Sequence, residues 1–361
     1  MIVGVLGAGQ LGRMLALAGY PLGMRLRFLD PAPDATAGEI APLVTAGYDD
    51  PDALARFADG LDVVTYEFEN VPVEAVRALE RMVPVRPGPR ALEAAQDRLA
   101  EKEFLRSVGV DPAPFVPAAS LSELEAAVAA LGTPCVVKTR RLGYDGKGQV
   151  VVRQPSGIRA AWEGAGEVPV VVEAFVPFTR ELSLLAVRSL AGEMRCYPLV
   201  ENEHRGGILH LSRCPARGDT TALQAQAERH ARAVMETLDY VGVLAIEFFE
   251  HEGRLIANEM APRVHNSGHW TIEGAVCSQF ENHLRAVAGL PLGSTGVRGF
   301  AAMLNLVGSI PPVRAMAAHD GLHIHLYGKE PRPRRKVGHI GICEPTADAR
   351  EAAIARALDP A

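Results

Sequence analysis

The sequence predicts an α/β protein whose central part is of the α+β type, and two patterns predict it. Over residues 1–90, apolar β-prone segments alternate with segments of helical periodicity, as in βαβ units around a parallel sheet. In the middle third the pattern changes: the apolar segments look like short strands, and a glycine-rich loop separates the first two. With 361 residues, 48% of them hydrophobic and 22% charged, the chain is long enough for two or three folded domains.

The chain opens on a strand. Ile2–Leu6 is a short apolar run, and apolar residues then recur at helical spacing over 11–18 until Gly19 ends the helix. Further strands are expected at 26–29 and 62–66. This order of elements predicts a parallel N-terminal sheet.

The remaining elements are shorter and more varied. We expect strands at Cys135–Thr139, 149–153, 170–173, 182–187, 195–199, 301–306 and 323–327, and helices at 98–108, 224–238 and 276–288. Prolines at 84–89 and at 291 mark domain boundaries. The expected domains are therefore 1–92, 93–292 and 293–361.

Charge and cysteine usage exclude several classes of protein. The formal net charge of −6 argues against a general affinity for nucleic acid. The five cysteines are odd in number and widely spaced, which indicates a reducing compartment and not a disulfide framework. The sequence shows neither a leader peptide nor an apolar run of about 18 residues. We therefore expect a cytoplasmic protein that binds neither nucleic acid nor membranes.

The most informative motif is a pair of glutamates. Residues 243–249 and 254–260 are β-prone and joined by a turn around Gly253, which places Glu247 opposite Glu259 on one face of a hairpin. Cross-strand partners lie about 5 Å apart, and two carboxylates that close repel unless a proton or cation lies between them. Because Mg²⁺ favours one or two carboxylates with phosphate oxygens, the pair predicts a magnesium–phosphate site. The alternative is a solvated face of an edge hairpin.

A glycine-rich loop at 7–12 (GAGQLG) follows the first strand and opens a helix, which is the context for phosphate binding at a helix N-terminus. Asp30 ends the next strand, where a dinucleotide-binding fold places its ribose-binding acid. Alone, these features fit a nicotinamide-dependent dehydrogenase, or simply a tight turn with close helix–strand packing. The second glycine loop and the diacid hairpin have no role in hydride transfer and argue against the dehydrogenase.

The second loop spans 138–148 (KTRRLGYDGKG) between two strands. Its three glycines and Lys147 suit a flap that closes over phosphates, and Lys138 can point towards a phosphate from the end of its strand. A long solvated hairpin loop is the alternative. Farther along, Glu173 ends a run of valines; such a strand end can offer backbone groups to a purine, with Glu181 for a ribose, although a core strand with a terminal acid fits as well.

Two polar clusters complete the set. The first directly follows the diacid and therefore lies beside it: Arg263, His265 and Asn266. The fork of an arginine suits an oxyanion such as bicarbonate. The second cluster comprises Lys329, Arg332, Arg334, Arg335 and Lys336. In an acidic protein such a cluster predicts a phosphate clamp, with a solvated basic loop as the alternative.

Six motifs together carry a family resemblance. They are 7–13 (GAGQLGR), 65–70 (TYEFEN), 97–102 (DRLAEK), 143–149 (GYDGKGQ), 258–270 (NEMAPRVHNSGHW) and 335–339 (RKVGH). They resemble the ATP-grasp superfamily and, within it, the family of 5-(carboxyamino)imidazole ribonucleotide synthases, over nearly the whole chain. The fifth motif is the most specific and the glycine loop the least.

The resemblance implies an ATP-grasp fold: an N-terminal Rossmann-like domain, a central ATP-grasp domain with a mobile flap at about 134–175, and a small C-terminal domain that completes the ribonucleotide site. It implies a carbon–nitrogen ligase of purine biosynthesis that carboxylates 5-aminoimidazole ribonucleotide with ATP and bicarbonate, via carboxyphosphate. ATP is then a substrate, two Mg²⁺ ions are the expected metal, and a homodimer is the expected assembly.

The resemblance also implies a role for particular residues. The implied ATP site comprises Arg98, Lys138, Tyr144, Asp145, Gly146, Lys147, Gly148, Gln149, Glu173, Ala174, Phe175, Val176, Glu181, His204, Asn258 and Glu259. The implied ribonucleotide site comprises Gln10, Leu11, Glu67, Lys329, Arg335 and Lys336. Glu247 and Glu259 would hold magnesium, and Tyr144, Arg263, His265 and Asn266 would surround bicarbonate and the reacting amine.

Two positions depart from the pattern. Ala261 stands where many ATP-grasp enzymes have asparagine, so waters or phosphates must complete the magnesium shell, and Arg334 stands where the family usually has glycine. Two further alternatives remain. Formate-dependent glycinamide ribonucleotide transformylase shares the layout, although residues 265–270 favour the carboxylating enzyme. A non-enzymatic nucleotide-binding regulator is also conceivable, but the intact diacid and flap argue against it.

Overall fold

The framework of the chain is three β-sheets, seen in a computed structural model that describes residues 1–143 and 146–358. The N-terminal sheet is parallel, with strand order β3–β2–β1–β4, and helices α1 to α3 belong to this part. The elements are β1 (Ile2–Leu6), α1 (Gln10–Gly19), β2 (Arg25–Asp30), β3 (Leu43–Thr45), α2 (Pro51–Ala58), β4 (Val63–Tyr66) and α3 (Val73–Glu80). Their buried strands and one-sided helices follow the predicted alternation.

The second sheet is antiparallel, with strand order β5–β8–β6–β7. Its elements and those leading into it are α4 (Pro89–Ala95), α5 (Arg98–Ser107), β5 (Phe115–Ala118), α6 (Leu121–Leu131), β6 (Cys135–Thr139), β7 (Gln149–Val152), α7 (Ile158–Gly164) and β8 (Val170–Ala174). Val170 and Val172 of β8 are buried against α6 and α7. The other face of this sheet borders a cleft.

The third sheet has nine strands, with β10 paired to β9 beside the main path β14–β13–β9–β11–β12–β15–β17–β16. Its strands are β9 (Arg180–Arg188), β10 (Met194–Cys196), β11 (Val200–Arg205), β12 (Ile208–Cys214), β13 (Gly242–His251), β14 (Arg254–Ala261), β15 (Phe300–Val307), β16 (Leu322–Leu326) and β17 (Lys336–Glu344). The accompanying helices are α8 (Thr221–Thr237), α9 (Thr271–Gly274), α10 (Gln279–Val287), α11 (Val313–Ala317) and α12 (Ala347–Leu358).

The N-terminal sheet and the large sheet share one hydrophobic core, in which residues of β1 and α1 are buried with residues of α10. His283 on α10 ties the two sheets together. Its Nε2 lies 2.8 Å from Thr65 Oγ1, and its Nδ1 accepts the backbone N–H of Val243 at 3.1 Å. This contact fixes β4 relative to β13, and both strands lead into the cleft.

The predicted α/β class is confirmed, and two predicted strands, Ile2–Leu6 and Cys135–Thr139, match the structure end to end. The strand expected at 195–199 ends at Cys196, because Pro198 cannot donate to a ladder. The basic loop is one residue shorter than expected, since Lys336 begins β17. The sequence analysis does not predict strands β3, β5, β11, β12 and β17; in β11, the charged residues Glu201, Glu203 and Arg205 obscure the strand pattern. Within the described ranges, no helix has the length and hydropathy to span a bilayer.

Candidate functional site

A cleft of about 1130 Å³ lies between the second and third sheets and is closed at one end by the N-terminal loops. The predicted residues that line it are Gln10, Leu11, Glu67, Arg98, Lys138, Gly146, Lys147, Gln149, Glu173, Ala174, Phe175, Val176, Glu181, His204, Glu247, Asn258, Glu259, Arg263, His265, Asn266, Lys329, Arg335 and Lys336. Gly148 stays beside Thr139 at the base of the flap, where an added Cβ would lie 2.4 Å from Thr139 Oγ1. Tyr144 and Asp145 lie outside the described residues.

The two glutamates face each other because of a bulge. Strands β13 and β14 are joined by a two-residue turn, Glu252 and Gly253, with φ of 49° and 74°. That turn alone would place Asn258 opposite Glu247. One extra residue in β14 shifts the register, so that Glu259 pairs with Glu247 as predicted. The bulge also lets Asn258 and Glu259 line the cleft together although they are neighbours in sequence.

The electrostatics of the diacid fit a cation. Burial, followed by the charge of Glu259, raises the pKa of Glu247 to about 7. Two nitrogen groups approach the pair at its edges: His265 Nε2 is 3.5 Å from Glu247 Oε1, and Arg98 Nη1 is 3.7 Å from Glu259 Oε2. Across the described part of the chain, no group of three or more His, Cys, Asp or Glu side chains could hold a metal by itself. Two carboxylates that line a cleft suit Mg²⁺, which keeps phosphate and water ligands.

A buried lysine–glutamate–lysine triad forms the wall opposite the diacid. Glu173 Oε1 lies 3.0 Å from Lys102 Nζ, and its Oε2 lies 3.0 Å from Lys138 Nζ. Burial opposes ionisation of Glu173, but the two ammonium groups outweigh it and lower its pKa. Lys138 Nζ also donates to Asn258 Oδ1 at 3.1 Å. The triad therefore aims Lys138 across the cleft towards the bulged strand.

The start of α5 connects this wall to the flap. Asp97 caps the helix by accepting from Leu99 N at 3.0 Å. The same carboxylate accepts Arg140 Nε at 3.0 Å and Arg140 Nη2 at 2.8 Å, a bidentate pair at the base of the flap. Arg98, the first residue of the helix, donates to Gly143 O at 3.2 Å.

The N-terminal glycine loop is occupied by carboxylates of the protein itself. Glu67 accepts the N–H groups of Gly9 and Gly12, and Asp30 accepts that of Ala8 at 2.9 Å. A Cβ added at Gly9 would lie 2.7 Å from Glu67 Oε1, so this glycine makes room for Glu67. The donors that would hold a pyrophosphate are therefore used, and the dehydrogenase interpretation is wrong.

The end of the cleft where the ribonucleotide is expected joins the start of α1 to the loop that carries Lys329, Arg332, Arg334 and Arg335. Lys329 Nζ donates to Gln10 Oε1. Burial lowers the pKa of Lys329, while the nearby Glu67 opposes that change. Arg334 adopts the left-handed conformation, with φ of 65°, that glycine would adopt without the usual cost of about 1–2 kcal/mol. Its Nη2 donates to Gly206 O at 3.1 Å on the other side of the cleft.

A further part of the cleft contains the residues that are expected around bicarbonate, Arg263, His265 and Asn266. Arg263 Nε donates to Glu69 Oε2; burial opposes the arginine's charge, but Glu69 outweighs it and raises the pKa of Arg263. Asn266 exchanges two hydrogen bonds with Asn305, at 3.1 and 2.7 Å. Burial, reinforced by Arg263, lowers the pKa of His265 well below its usual range. The imidazole is therefore neutral at pH 7.

Three family models match along the chain: a ribonucleotide synthetase preATP-grasp domain over 1–96, an ATP-grasp domain over 103–280 and a phosphoribosylaminoimidazole carboxylase C-terminal domain over 301–353. The N5-carboxyaminoimidazole ribonucleotide synthase of Pseudomonas aeruginosa is 56% identical over 339 residues, which are 94% of this chain and 93% of that protein. The chain belongs to the N5-carboxyaminoimidazole ribonucleotide synthase family.

Solved structures agree with this assignment to the synthase family. The synthetase from Thermus thermophilus is 56% identical, with a TM-score of 0.94 and coverage of 98% of this chain and 97% of that one. The Aspergillus clavatus enzyme, solved in complex with ADP and 5-aminoimidazole ribonucleotide, is 32% identical, with a TM-score of 0.93 and coverage of 99% and 98%. The predicted ATP-grasp fold and the prediction of an ATP-dependent ligase are thereby confirmed.

Several side chains that shape the site were not predicted from the sequence. Lys102 is 1% exposed and lies four positions after Arg98 on the same face of α5, a spacing that could have pointed to it. Glu101 accepts Met260 N at 2.6 Å, and burial together with Glu259 raises the pKa of Glu101 to about 8. Glu69 lies in the motif 65–70, but its role was not predicted, and Asn305 gave no signal, because only the fold brings them to Arg263 and Asn266.

Proposed function

We propose that this chain carboxylates 5-aminoimidazole ribonucleotide to 5-(carboxyamino)imidazole ribonucleotide with ATP and bicarbonate, in the de novo synthesis of purines. One observation carries the proposal: a single cleft is lined by the diacid hairpin, by Lys138 and Glu173 of the buried triad, and by the basic cluster at 329–336. A ligase that couples ATP cleavage to carboxylation needs all three within reach of one another.

ATP would lie between the second and third sheets. Lys138 and the flap, including Lys147, would contact its phosphates, and the strand end 173–176 would offer backbone groups to the purine. Glu181 and His204, which are hydrogen-bonded to each other, line the cleft from the third sheet and suit the ribose. The remaining predicted ATP-site residues in the described ranges complete this lining, apart from Gly148, which shapes the flap.

Glu247 and Glu259 would hold Mg²⁺, with two ions expected, and Ala261 adds no ligand. The metal, when bound, spreads the charge of the transferring phosphoryl group. The protein supplies the surrounding positive charge: Lys138 is held on Glu173, and Arg98 approaches Glu259 from the start of α5. These side chains are already in place before the substrates bind, which favours electrostatic stabilisation.

Bicarbonate and the reacting amine would meet at Arg263, His265 and Asn266, with Tyr144 on the flap. Attack of bicarbonate on the γ-phosphate gives carboxyphosphate and ADP, and the carboxyl group then passes to the exocyclic amine. Arg263 would hold the carboxylate, since Glu69 fixes its guanidinium. Closure of the flap excludes water from the labile intermediate.

The ribonucleotide would bind with its base beside Gln10, Leu11 and Glu67 and its phosphate on Lys329, Arg335 and Lys336. All six residues line the cleft, and Lys329 Nζ donates to Gln10 Oε1. The homodimer and the domain limits 1–92, 93–292 and 293–361 stay predictions. Sedimentation of the purified protein tests the first, and limited proteolysis tests the second.

Release of ADP and phosphate by the purified protein tests the proposed reaction. We expect release that requires ATP, magnesium, bicarbonate and 5-aminoimidazole ribonucleotide together. A matched reaction supplies glycinamide ribonucleotide and formate in their place. Release only in the matched reaction would replace the proposed substrate, and equal release without any ribonucleotide would contradict a synthase.

A further inference from the structure

A chain of buried hydrogen bonds ends at His265. Ser212 Oγ lies 2.7 Å from Asn202 Oδ1, and Asn202 Nδ2 lies 2.9 Å from Ser183 Oγ. Ser183 Oγ then lies 2.8 Å from Ser267 Oγ, which lies 2.9 Å from His265 Nδ1. The three serines are 0% exposed and Asn202 is 7% exposed. The chain crosses three neighbouring strands, β12, β11 and β9, before it reaches the loop after β14.

One backbone group sets the direction of every bond in this chain. The N–H of Ser267 points at His265 Nδ1 from 3.3 Å, and a backbone N–H can only donate. His265 Nδ1 therefore carries a lone pair and not a proton. It follows that the Ser267 hydroxyl donates to Nδ1 and must itself accept from Ser183. Ser183 in turn accepts from the amide of Asn202, whose oxygen accepts from Ser212.

We infer that Ser183, Asn202, Ser212 and Ser267 are positioning residues that hold His265 in the tautomer with its proton on Nε2. That nitrogen faces the cleft, 3.5 Å from Glu247 Oε1. His265 then meets the substrates as a hydrogen-bond donor, and its protonated Nε2 cannot take a proton from the amine. Which oxyanion accepts this hydrogen bond, bicarbonate or the carboxyl group in transfer, rests on the proposed function. The assignment of the tautomer does not rest on that function.

The donor role agrees with the chemistry at this corner of the cleft. An Nε2–H group aimed at developing negative charge stabilises it, whereas the other tautomer would present a lone pair to an anion. Fixing the tautomer through buried partners also removes the cost of selecting it during each turnover. A purely structural network would have no reason to affect which nitrogen carries the proton.

Nitrogen NMR of the ligand-free protein tests the tautomer directly. Protein labelled with ¹⁵N-histidine gives two-bond ¹H–¹⁵N patterns that distinguish a protonated ring nitrogen from one with a lone pair. The His265→Gln variant identifies which of the 11 histidines is observed. We expect an unprotonated Nδ1 and a protonated Nε2 at His265. The reverse pattern would overturn the inference, whether or not the protein carboxylates a ribonucleotide.

Variants along the chain test the positioning role. Ser267→Ala and Ser183→Ala remove one hydroxyl each; we expect both to shift the His265 Nδ1 resonance and to lower kcat about 10-fold or more, with little change in KM for ATP. Ser189→Ala is the matched control, because Ser189 is also buried but directly follows the last residue of β9, about 20 Å from Ser183. It should leave the His265 resonance and kcat unchanged.

Two results would decide against the positioning role. One is a wild-type resonance with kcat within about twofold of wild type in both variants. The other is an equal effect of Ser189→Ala, which would indicate general loosening of the core. If Ser267→Ala does not fold, the wild-type spectrum and Ser183→Ala still decide. If NMR confirms the tautomer but the protein does not carboxylate the ribonucleotide, that result contradicts the proposed function and leaves the tautomer assignment intact.

Discussion

Replacing Glu173 with glutamine tests whether the lysine triad is a coupled electrostatic unit. The change keeps the volume of the side chain but removes its charge from between Lys102 and Lys138, each 3.0 Å away. At an effective dielectric of about 20, each pair contributes a Coulomb energy of about 5.5 kcal/mol, which desolvation largely offsets. Measured losses on breaking buried pairs are about 3–5 kcal/mol. We expect the free energy of unfolding to fall by that amount.

Urea unfolding of the ligand-free protein measures this change. Trp162 lies in the core beneath the same small sheet and is one of two tryptophans, so Trp270→Phe leaves it as the sole reporter. Glu163→Gln, an exposed change on α7 beside Trp162, is the matched control and should shift the unfolding free energy by less than about 0.5 kcal/mol. A loss below about 1 kcal/mol in Glu173→Gln would refute the coupled unit.

Three further outcomes are expected. Glu259→Gln should lower turnover by at least about two orders of magnitude while circular dichroism stays unchanged; near-normal turnover would end its assignment as a metal ligand. Because the pKa of Glu247 is about 7, binding of Mg²⁺ with ADP at pH 7 should release about half a proton from this site, seen by calorimetry in buffers of different ionisation enthalpy and absent in Glu247→Gln. Burial lowers the pKa of His283 to about 3, so the folded state binds fewer protons than the unfolded state below pH 6.5. The free energy of unfolding should therefore fall as the pH is lowered, and this group should account for a loss of about 2 kcal/mol at pH 5. His283→Gln should show a correspondingly flatter loss in urea unfolding, and an unchanged slope would contradict the assignment.

The candidate site could be predicted from sequence where its residues follow one another along a strand or loop. The diacid is an example, although the sequence predicts the pairing of Glu247 with Glu259 without revealing the bulge that produces it. A turn around Gly253 gives the correct pairing by counting, whereas the structure uses the turn Glu252–Gly253 and a bulge at Asn258. A bulge leaves no periodic signal, because one extra residue looks like ordinary strand.

The rest of the site depends on contacts between distant segments. Glu67 fills the glycine loop 55 positions after Gly12, and the same loop in isolation fits a dinucleotide equally well. Lys102 and Glu173 are far apart in sequence, and each alone resembles a surface charge. Local patterns identify which residues can carry chemistry; the choice between a bound ligand and a partner within the protein is made by the fold.

The most direct test of the central claim follows the label of [¹³C,¹⁸O]bicarbonate during a reaction with ATP, magnesium and 5-aminoimidazole ribonucleotide. Carbon NMR should show the ¹³C atom on the exocyclic nitrogen of the ribonucleotide, and phosphorus NMR should show one ¹⁸O atom in the released phosphate, with one ADP formed per carboxylation. ADP formation without transfer of ¹³C to the ribonucleotide would contradict the claim that this cleft joins phosphoryl transfer to carboxylation.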